Sequence, residues 1–107
     1  MRFSIITATQ NNQKTILKTL DSIKSQNFND YEVIFVDGKS LDNTVDIISK
    51  FDLNKKIILN QHGSGVYGAF NEGIRKSSGE IIVILNADDY FNSSLALEKI
   101  NELFKIN

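Results

Sequence analysis

Four short apolar runs, each followed by a stretch with helical spacing, constrain this chain more than any other feature. The runs are Phe3-Ser4-Ile5-Ile6-Thr7-Ala8, Tyr31-Glu32-Val33-Ile34-Phe35-Val36, Lys56-Ile57-Ile58-Leu59 and Ile81-Ile82-Val83-Ile84-Leu85. Their β-branched and aromatic content predicts strands. Between them, Ile16, Leu17, Leu20 and Ile23 fall on one face of a helix running from about Asn12 to Ser25. Asp42 is the expected N-cap of a helix carrying Val45, Ile48 and Phe51. Val66 to Lys76 reads as a weaker helix, because Gly68 and Gly73 each cost about 1 kcal/mol against Ala. A last helix starts at Ser93 or Ser94 and is expected to cover Leu95 to Ile106, with Leu97, Ile100, Leu103 and Phe104 as its apolar positions. The order βαβαβαβα implies an α/β domain: a mostly parallel sheet, right-handed crossovers and helices on both faces.

The fourth run stops at Asp88-Asp89. Its five aliphatic residues, all but one β-branched, predict a strand buried on both faces. Two adjacent carboxylates at its end are not core residues, because they repel each other and are costly to bury unpaired. In open α/β sheets, ligands collect outside the carboxyl ends of the strands. Hard oxygen donors there suit Mg²⁺ or Mn²⁺ that also holds a phosphate. The competing interpretation is a solvated acidic turn capping the next helix.

Composition narrows the function class. The 107 residues suffice for one modest domain, and 41% hydrophobic with 23% charged content is that of an ordinary globular chain. A net charge of −1 argues against a nucleic-acid partner. No cysteine is present, so disulfides and thiolate metal sites are excluded. No apolar run approaches the ~20 residues that span a bilayer. The N-terminal run, broken by Ser4 and Thr7, lacks the apolar core of a signal peptide. The expected location is the cytoplasm, its membrane face included.

Three polar segments fall at strand ends: Thr7 to Asn11, Val36 to Ser40, and Asn86 to Asp89. Parallel strands would open all three on one sheet edge. Asp37 is placed to accept a hydrogen bond from a base N–H or a ribose hydroxyl, and Gly38 lets backbone approach a ligand closely. An ordinary Asp-Gly turn accounts for the same pair. Neither a G-x-G-x-x-G fingerprint nor a Walker A sequence occurs. His62 reads as a solvated loop residue, Tyr67 and Phe70 as packing, and Lys55-Lys56 as a solvated strand entrance. Arg75 and Lys76 face a helix C-terminus favourably, with diphosphate contact by Arg75 as an alternative.

These residues resemble family 2 glycosyltransferases of the GT-A fold. The first block is Thr7-x-Thr9-x-Asn11, Leu20-x-Ser22-Ile23-x-x-Gln26 and Glu32-Val33-x-x-Val36-Asp37-Gly38-x-Ser40-x-Asp42-x-Thr44. The second is Gly65-Val66-Tyr67-x-Ala69-x-Asn71-x-Gly73, Ser78-Gly79-Glu80 and Leu85-Asn86-x-Asp88-Asp89. The branch it is most similar to serves bacterial capsule and exopolysaccharide synthesis. The resemblance implies a Rossmann-like GT-A nucleotide-binding half that takes a nucleotide-diphospho-sugar and transfers a hexose to a glycan with inversion. Thr9, Asn11, Asp37, Gly38 and Ser40 would form the nucleotide side of the site. Asp88 would face the ribose or sugar. Asp89, in the family's DXD-type position, would hold the Mg²⁺ or Mn²⁺.

The sequence also departs from the family. Gln10 stands where a base-stacking aromatic is common, and Lys39 and Leu41 replace smaller residues. Gly63 and Gly68 replace acidic residues, and Glu72 stands where Lys is frequent. Residues 1–107 form one donor-binding domain on this view, without the second half that carries the acceptor site and catalytic base, and inactive alone. The rival is a non-catalytic, degenerate fragment serving as a binding or assembly module. A flavodoxin-like or response-regulator-like domain is disfavoured, because its acids would cluster after the first strand. A fourth strand that lacks second-half partners is expected to pair across its open edge in a homodimer.

Overall fold

The computed structural model describes residues 1–105; the last turn of the expected final helix at Ile106 lies outside them. The elements follow the predicted order: β1 (Phe3–Thr9), α1 (Ile16–Lys24), β2 (Tyr31–Asp37), α2 (Thr44–Lys50), β3 (Lys56–Asn60), α3 (Val66–Lys76), β4 (Ile81–Ile84) and α4 (Ala96–Lys105). The sheet has the strand order β3-β2-β1-β4, and every pairing is parallel. The fold class is therefore the α/β one expected.

Helices cover both faces, unevenly. Phe3, Ile5, Val33 and Phe35 pack with Ile16, Leu20, Ile23, Ile48 and Leu97, so α1, α2 and α4 share one face. Ile34 and Val36 pack with Ala69 of α3 on the other. This division follows from topology. The chain steps outward from β1 to β3, then crosses back to β4 on the far side of β1. A crossover of constant hand must change face when the direction of travel reverses. Each fully buried Ile or Leu on these faces contributes about 1.5–3 kcal/mol.

Glycine makes two close approaches possible. A Cβ on Gly73 would come within 2.5 Å of the Ile6 side chain, so α3 sits closer to β1 than alanine permits. A Cβ on Gly79 would come within 2.5 Å of the Ser4 backbone nitrogen, where the chain enters β4.

Several expectations need correction. Leu17 is exposed, because 3.6-residue spacing carries it off the buried stripe of α1. Leu103 and Phe104 are likewise exposed beyond the part of α4 that reaches the sheet. Strand β4 is not buried on both faces: Ile82 is 39% and Ile84 44% exposed, because the helix on that face, α3, packs on β1 and β2. The first turn of α2 begins at Asn43, not Asp42, although Asp42 Oδ1 does accept the Thr44 N–H at 3.0 Å. Lys56 is not a solvated entrance. Its ammonium donates to the carbonyls of Ile48, Ser49 and Phe51 at 2.9, 2.9 and 2.7 Å, closing the C-terminus of α2.

Lys55 pairs at 3.6 Å with Glu32, whose side chain is 1% exposed. One Glu32 oxygen accepts the Ser4 hydroxyl at 2.5 Å and the Ser78 N–H and hydroxyl at 2.7 and 2.9 Å. Burial pushes this carboxyl up, but the Ser4 and Ser78 donors and the Lys55 charge outweigh it and hold it below the usual glutamate range. A depressed folded pKa gives stability that is complete above the unfolded value near 4.5 and lost as pH falls below it. Glu32→Gln is therefore expected to be less stable than the parent at pH 7 by about 1–3 kcal/mol. The gap should narrow below pH ~4.5. Denaturant unfolding of both proteins at pH 7, 5 and 3.5 checks this, and a gap independent of pH would refute it.

Candidate active site

Strand order reverses beside β1, between the connections that leave it and the one that returns to β4. Open sheets form a crevice at such a point, outside the carboxyl ends of the strands. Here it is a cleft of about 330 Å³. Ala8 and Thr9 of β1, Gln10, Gln61, Val66 and Ala69 of α3, and Asn86 to Asp88 after β4 line it. That volume lies at the lower end of the range for small-molecule sites.

One wall is ordered by Asp37. The residue is 3% exposed, and its register partner across the sheet is Thr9. Oδ1 accepts the Thr9 hydroxyl at 2.7 Å and the Ser40 hydroxyl at 2.6 Å, while Oδ2 accepts the Ser40 N–H at 2.9 Å. A carboxylate satisfied this way tolerates burial. The Gly38 N–H donates to the Thr9 carbonyl at 2.8 Å, tying the two strand ends together. Asn11, at φ 55°, donates its N–H to Ser40 Oγ at 2.9 Å and accepts the Leu41 N–H at 2.7 Å. Thr9, Asn11, Asp37, Gly38 and Ser40 thus form one hydrogen-bonded unit. Within it the Asp37 carboxylate organises the loop, a part not foreseen from its place before a glycine.

The acidic turn is held differently. The Asp89 N–H donates to the Asn86 carbonyl at 3.0 Å, closing a four-residue turn. The Thr15 hydroxyl donates to the Ala87 carbonyl at 3.0 Å, and the Thr19 hydroxyl lies 3.1 Å and 2.5 Å from the carbonyls of Ala87 and Asp89. Ser22 Oγ accepts the Phe91 N–H at 3.1 Å. Gln26 donates to the Ser93 carbonyl at 2.7 Å and accepts the Leu97 N–H at 3.0 Å. Lys18 places its ammonium 4.0 Å above the Tyr90 ring. Sequence reasoning assigned no role to Thr15 or Thr19. Their signal was present: Thr15, Thr19, Ser22 and Gln26 recur every three or four residues, a polar stripe beside the apolar one.

Both carboxylates of the turn are exposed, and Asp88 lines the cleft. The Asp89 carboxylate accepts the Asn86 amide at 3.3 Å. No group of three His, Cys, Asp or Glu residues gathers as a metal cage among the described residues. Mg²⁺-type ions are usually held by one or two carboxylates plus phosphate oxygens. The donor set fits a cation shared with a bound diphosphate.

Other candidates lie elsewhere. Arg75, His62 and Glu72 line a separate recess beside β3. Glu72 accepts the N–H groups of His62 and Gly63 at 3.0 and 3.4 Å, and the His62 amide first of all holds its carboxyl below the usual range. Tyr67, expected to pack, is 82% exposed, because α3 turns the opposite face toward the sheet.

The model of the family described as glycosyl transferase family 2 matches residues 4–107. The chain belongs to this family. A PGL/p-HBAD biosynthesis glycosyltransferase of Mycobacterium bovis is 39% identical over 90 residues, which cover 81% of this chain and 35% of that protein. The structure of Staphylococcus aureus TarS 1–349 in complex with UDP-GlcNAc aligns with a TM-score of 0.83 at 31% identity, over 98% of this chain and 31% of that one. The mannosyltransferase PcManGT of Pyrobaculum calidifontis, in complex with GDP-Man and Mn²⁺, aligns with a TM-score of 0.80 at 30% identity, over 90% of this chain and 30% of that one. The chain spans about a third of the length of the curated relatives it matches first. Its fold is the Rossmann-like, GT-A arrangement of these glycosyltransferases.

If α1 holds the acidic turn, Thr19→Val leaves the Asp89 carbonyl without its side-chain donor, while the Ala87 carbonyl keeps Thr15. We expect a loss of about 1–3 kcal/mol in stability. Amide exchange should rise at Asp89 to Phe91 more than in β1. Uniform exchange throughout would show that the turn does not depend on α1.

Proposed function

We propose that residues 1–107 form a single nucleotide-diphospho-sugar-binding domain of an inverting, metal-dependent glycosyltransferase. The observation that supports this best is the cleft at the strand-order reversal, which places Thr9 and Asp88 in one cavity. Relatives of this fold have been solved with UDP-GlcNAc and with GDP-Man and Mn²⁺. Thr9, Asn11, Asp37, Gly38 and Ser40 shape the nucleotide end. Asp88 faces the ribose or sugar, and Asp89 holds a Mg²⁺ or Mn²⁺ on the diphosphate. When bound, the cation offsets the negative charge that grows on the leaving nucleoside diphosphate.

The reaction class is attack by an acceptor hydroxyl on the anomeric carbon. The new C–O bond forms as the bond to the diphosphate oxygen breaks, and the hydroxyl proton passes to a base. We assign no catalytic base within residues 1–107. The chain alone is proposed to bind donor without transferring sugar, the acceptor site and base belonging to a second half. Among the described residues no helix is long and apolar enough to cross a membrane. We place the domain in the cytoplasm, with its membrane face as the alternative.

Calorimetric titration with UDP, GDP and other nucleoside diphosphates tests donor binding. Binding is expected to be weak and stronger with Mn²⁺ or Mg²⁺. Asp89→Ala should abolish the metal dependence, while Asp37→Ala should weaken binding without metal as well. No heat from folded protein with any nucleotide would favour a non-catalytic binding or assembly module instead.

Among the described residues, strand β4 pairs with β1 on one side only, and Ile82 and Ile84 stay exposed. An open apolar edge is a template for pairing. We therefore propose that the isolated 107-residue chain dimerises through β4. Sedimentation at high concentration should show a dimer that Val83→Lys disrupts. A monomer at every concentration would exclude edge pairing.

A further inference from the structure

We propose that the side-chain oxygen of Gln61 is the base-reading acceptor of this cleft and selects nucleotides whose base carries a ring N–H, uracil or guanine, over cytosine or adenine. This rests on the donor-site assignment above and deepens it. The sequence offers Asp37 as the acceptor for a base N–H, but the Asp37 carboxylate already takes three hydrogen bonds from Thr9 and Ser40 and is buried.

Gln61 is placed differently. It follows β3, and its backbone N–H donates to the Asp37 carbonyl at 2.8 Å, so it starts from the same strand end. Its side-chain nitrogen donates to the Gly65 carbonyl at 2.8 Å. That bond fixes which end of the amide faces where. The oxygen Oε1 is left toward Gly38, 3.1 Å from where a Cβ on Gly38 would lie. Among the described residues Oε1 accepts no hydrogen bond, although the residue is only 8% exposed.

Gly38 leaves the room this amide occupies. A Cβ on Gly68 would meet the Gln61 side-chain nitrogen at 3.5 Å, and one on Gly38 would also touch the Gln10 amide at 3.6 Å. The cleft of about 330 Å³ and a smaller recess of about 190 Å³ share Gln10, Gln61 and Gly65. The oxygen is thus an unpaired acceptor, held in one orientation beside Gly38, which lines the smaller recess that shares Gln61 with the cleft. A half-buried acceptor favours a ligand that brings a donor and disfavours one that brings a lone pair, because the unpaired oxygen then loses water without compensation. Uracil N3 and guanine N1 carry hydrogen; cytosine N3 and adenine N1 are lone-pair acceptors.

The test compares UDP with CDP and GDP with ADP by calorimetry, with Mn²⁺ present, on the parent chain, Gln61→Leu and Gln61→Glu. The parent should prefer the N–H base of at least one pair by about tenfold, the worth of one well-placed hydrogen bond. Gln61→Leu should bring that pair to near equality. Gln61→Glu keeps an acceptor but cannot donate to Gly65, so it should retain the preference. Preference kept in Gln61→Leu, or lost equally in both variants, overturns the proposal; the latter result would leave Gln61 only its bond to Gly65. Parent protein that binds both members of each pair equally also overturns it, and this outcome needs no variant to fold. Parent protein that binds no nucleotide fails the donor-site assignment itself, which separates the two failures.

Discussion

The rest of the structure depends on the parallel pairing of β1 with β2, and a hydrogen-bonded polar pair fastens each end of it. Ser4 lies opposite Glu32 at the start of the ladder, and Thr9 lies opposite Asp37 at its end. In each pair a hydroxyl on β1 donates to a carboxylate on β2, at 2.5 and 2.7 Å. Between them the ladder is mostly apolar, with Ile5, Ile6, Val33 and Ile34 fully buried and Thr7 the polar exception. A one-residue slip would move every side chain to the opposite face and leave both carboxylates buried without partners. Both strands are buried on both faces, so the polar ends supply a register signal that apolar pattern alone does not.

The two ends do different work. The Glu32 cluster draws Ser78 and Gly79 onto β1 and so sets where β4 enters the sheet. The Asp37 cluster ties Asn11 and Ser40 to Thr9, which lines the cleft. The buried, saturated carboxylate of Asp37 ties the carboxyl ends of β1 and β2 together. The outcome is that the acid ending β2 is satisfied by Thr9 and Ser40, while Gln61 Oε1 accepts no hydrogen bond among the described residues.

The acidic turn shows how a loop becomes rigid without secondary structure of its own. Its backbone carbonyls at Ala87 and Asp89 are taken up by Thr19 of α1 and Thr15 at its N-cap, so the carboxylates are left to face solvent and the cleft. Buried backbone with exposed carboxylates is an arrangement suited to a ligand that carries its own phosphates.

The sequence by itself determined the elements, their order, the parallel sheet and the strand ends that carry the polar segments. These are local properties: β-branched runs, 3.6-residue spacing and turn residues. Two separated motif blocks, from Thr7 to Thr44 and from Gly65 to Asp89, also sufficed to name the family. What the polar side chains do was decided only by tertiary structure. Thr19 and Ser22 look like ordinary helix residues until α1 is laid against the turn after β4, and Lys56 looks solvated until α2 ends above it. Ile82 and Ile84 read as core because composition records apolarity but not whether a helix covers that face. Asp37 reads as a free acceptor until Thr9 and Ser40 are brought against it. A hydrogen-bonding group is free or satisfied according to the neighbours that folding brings to it, and those neighbours come from distant parts of the chain.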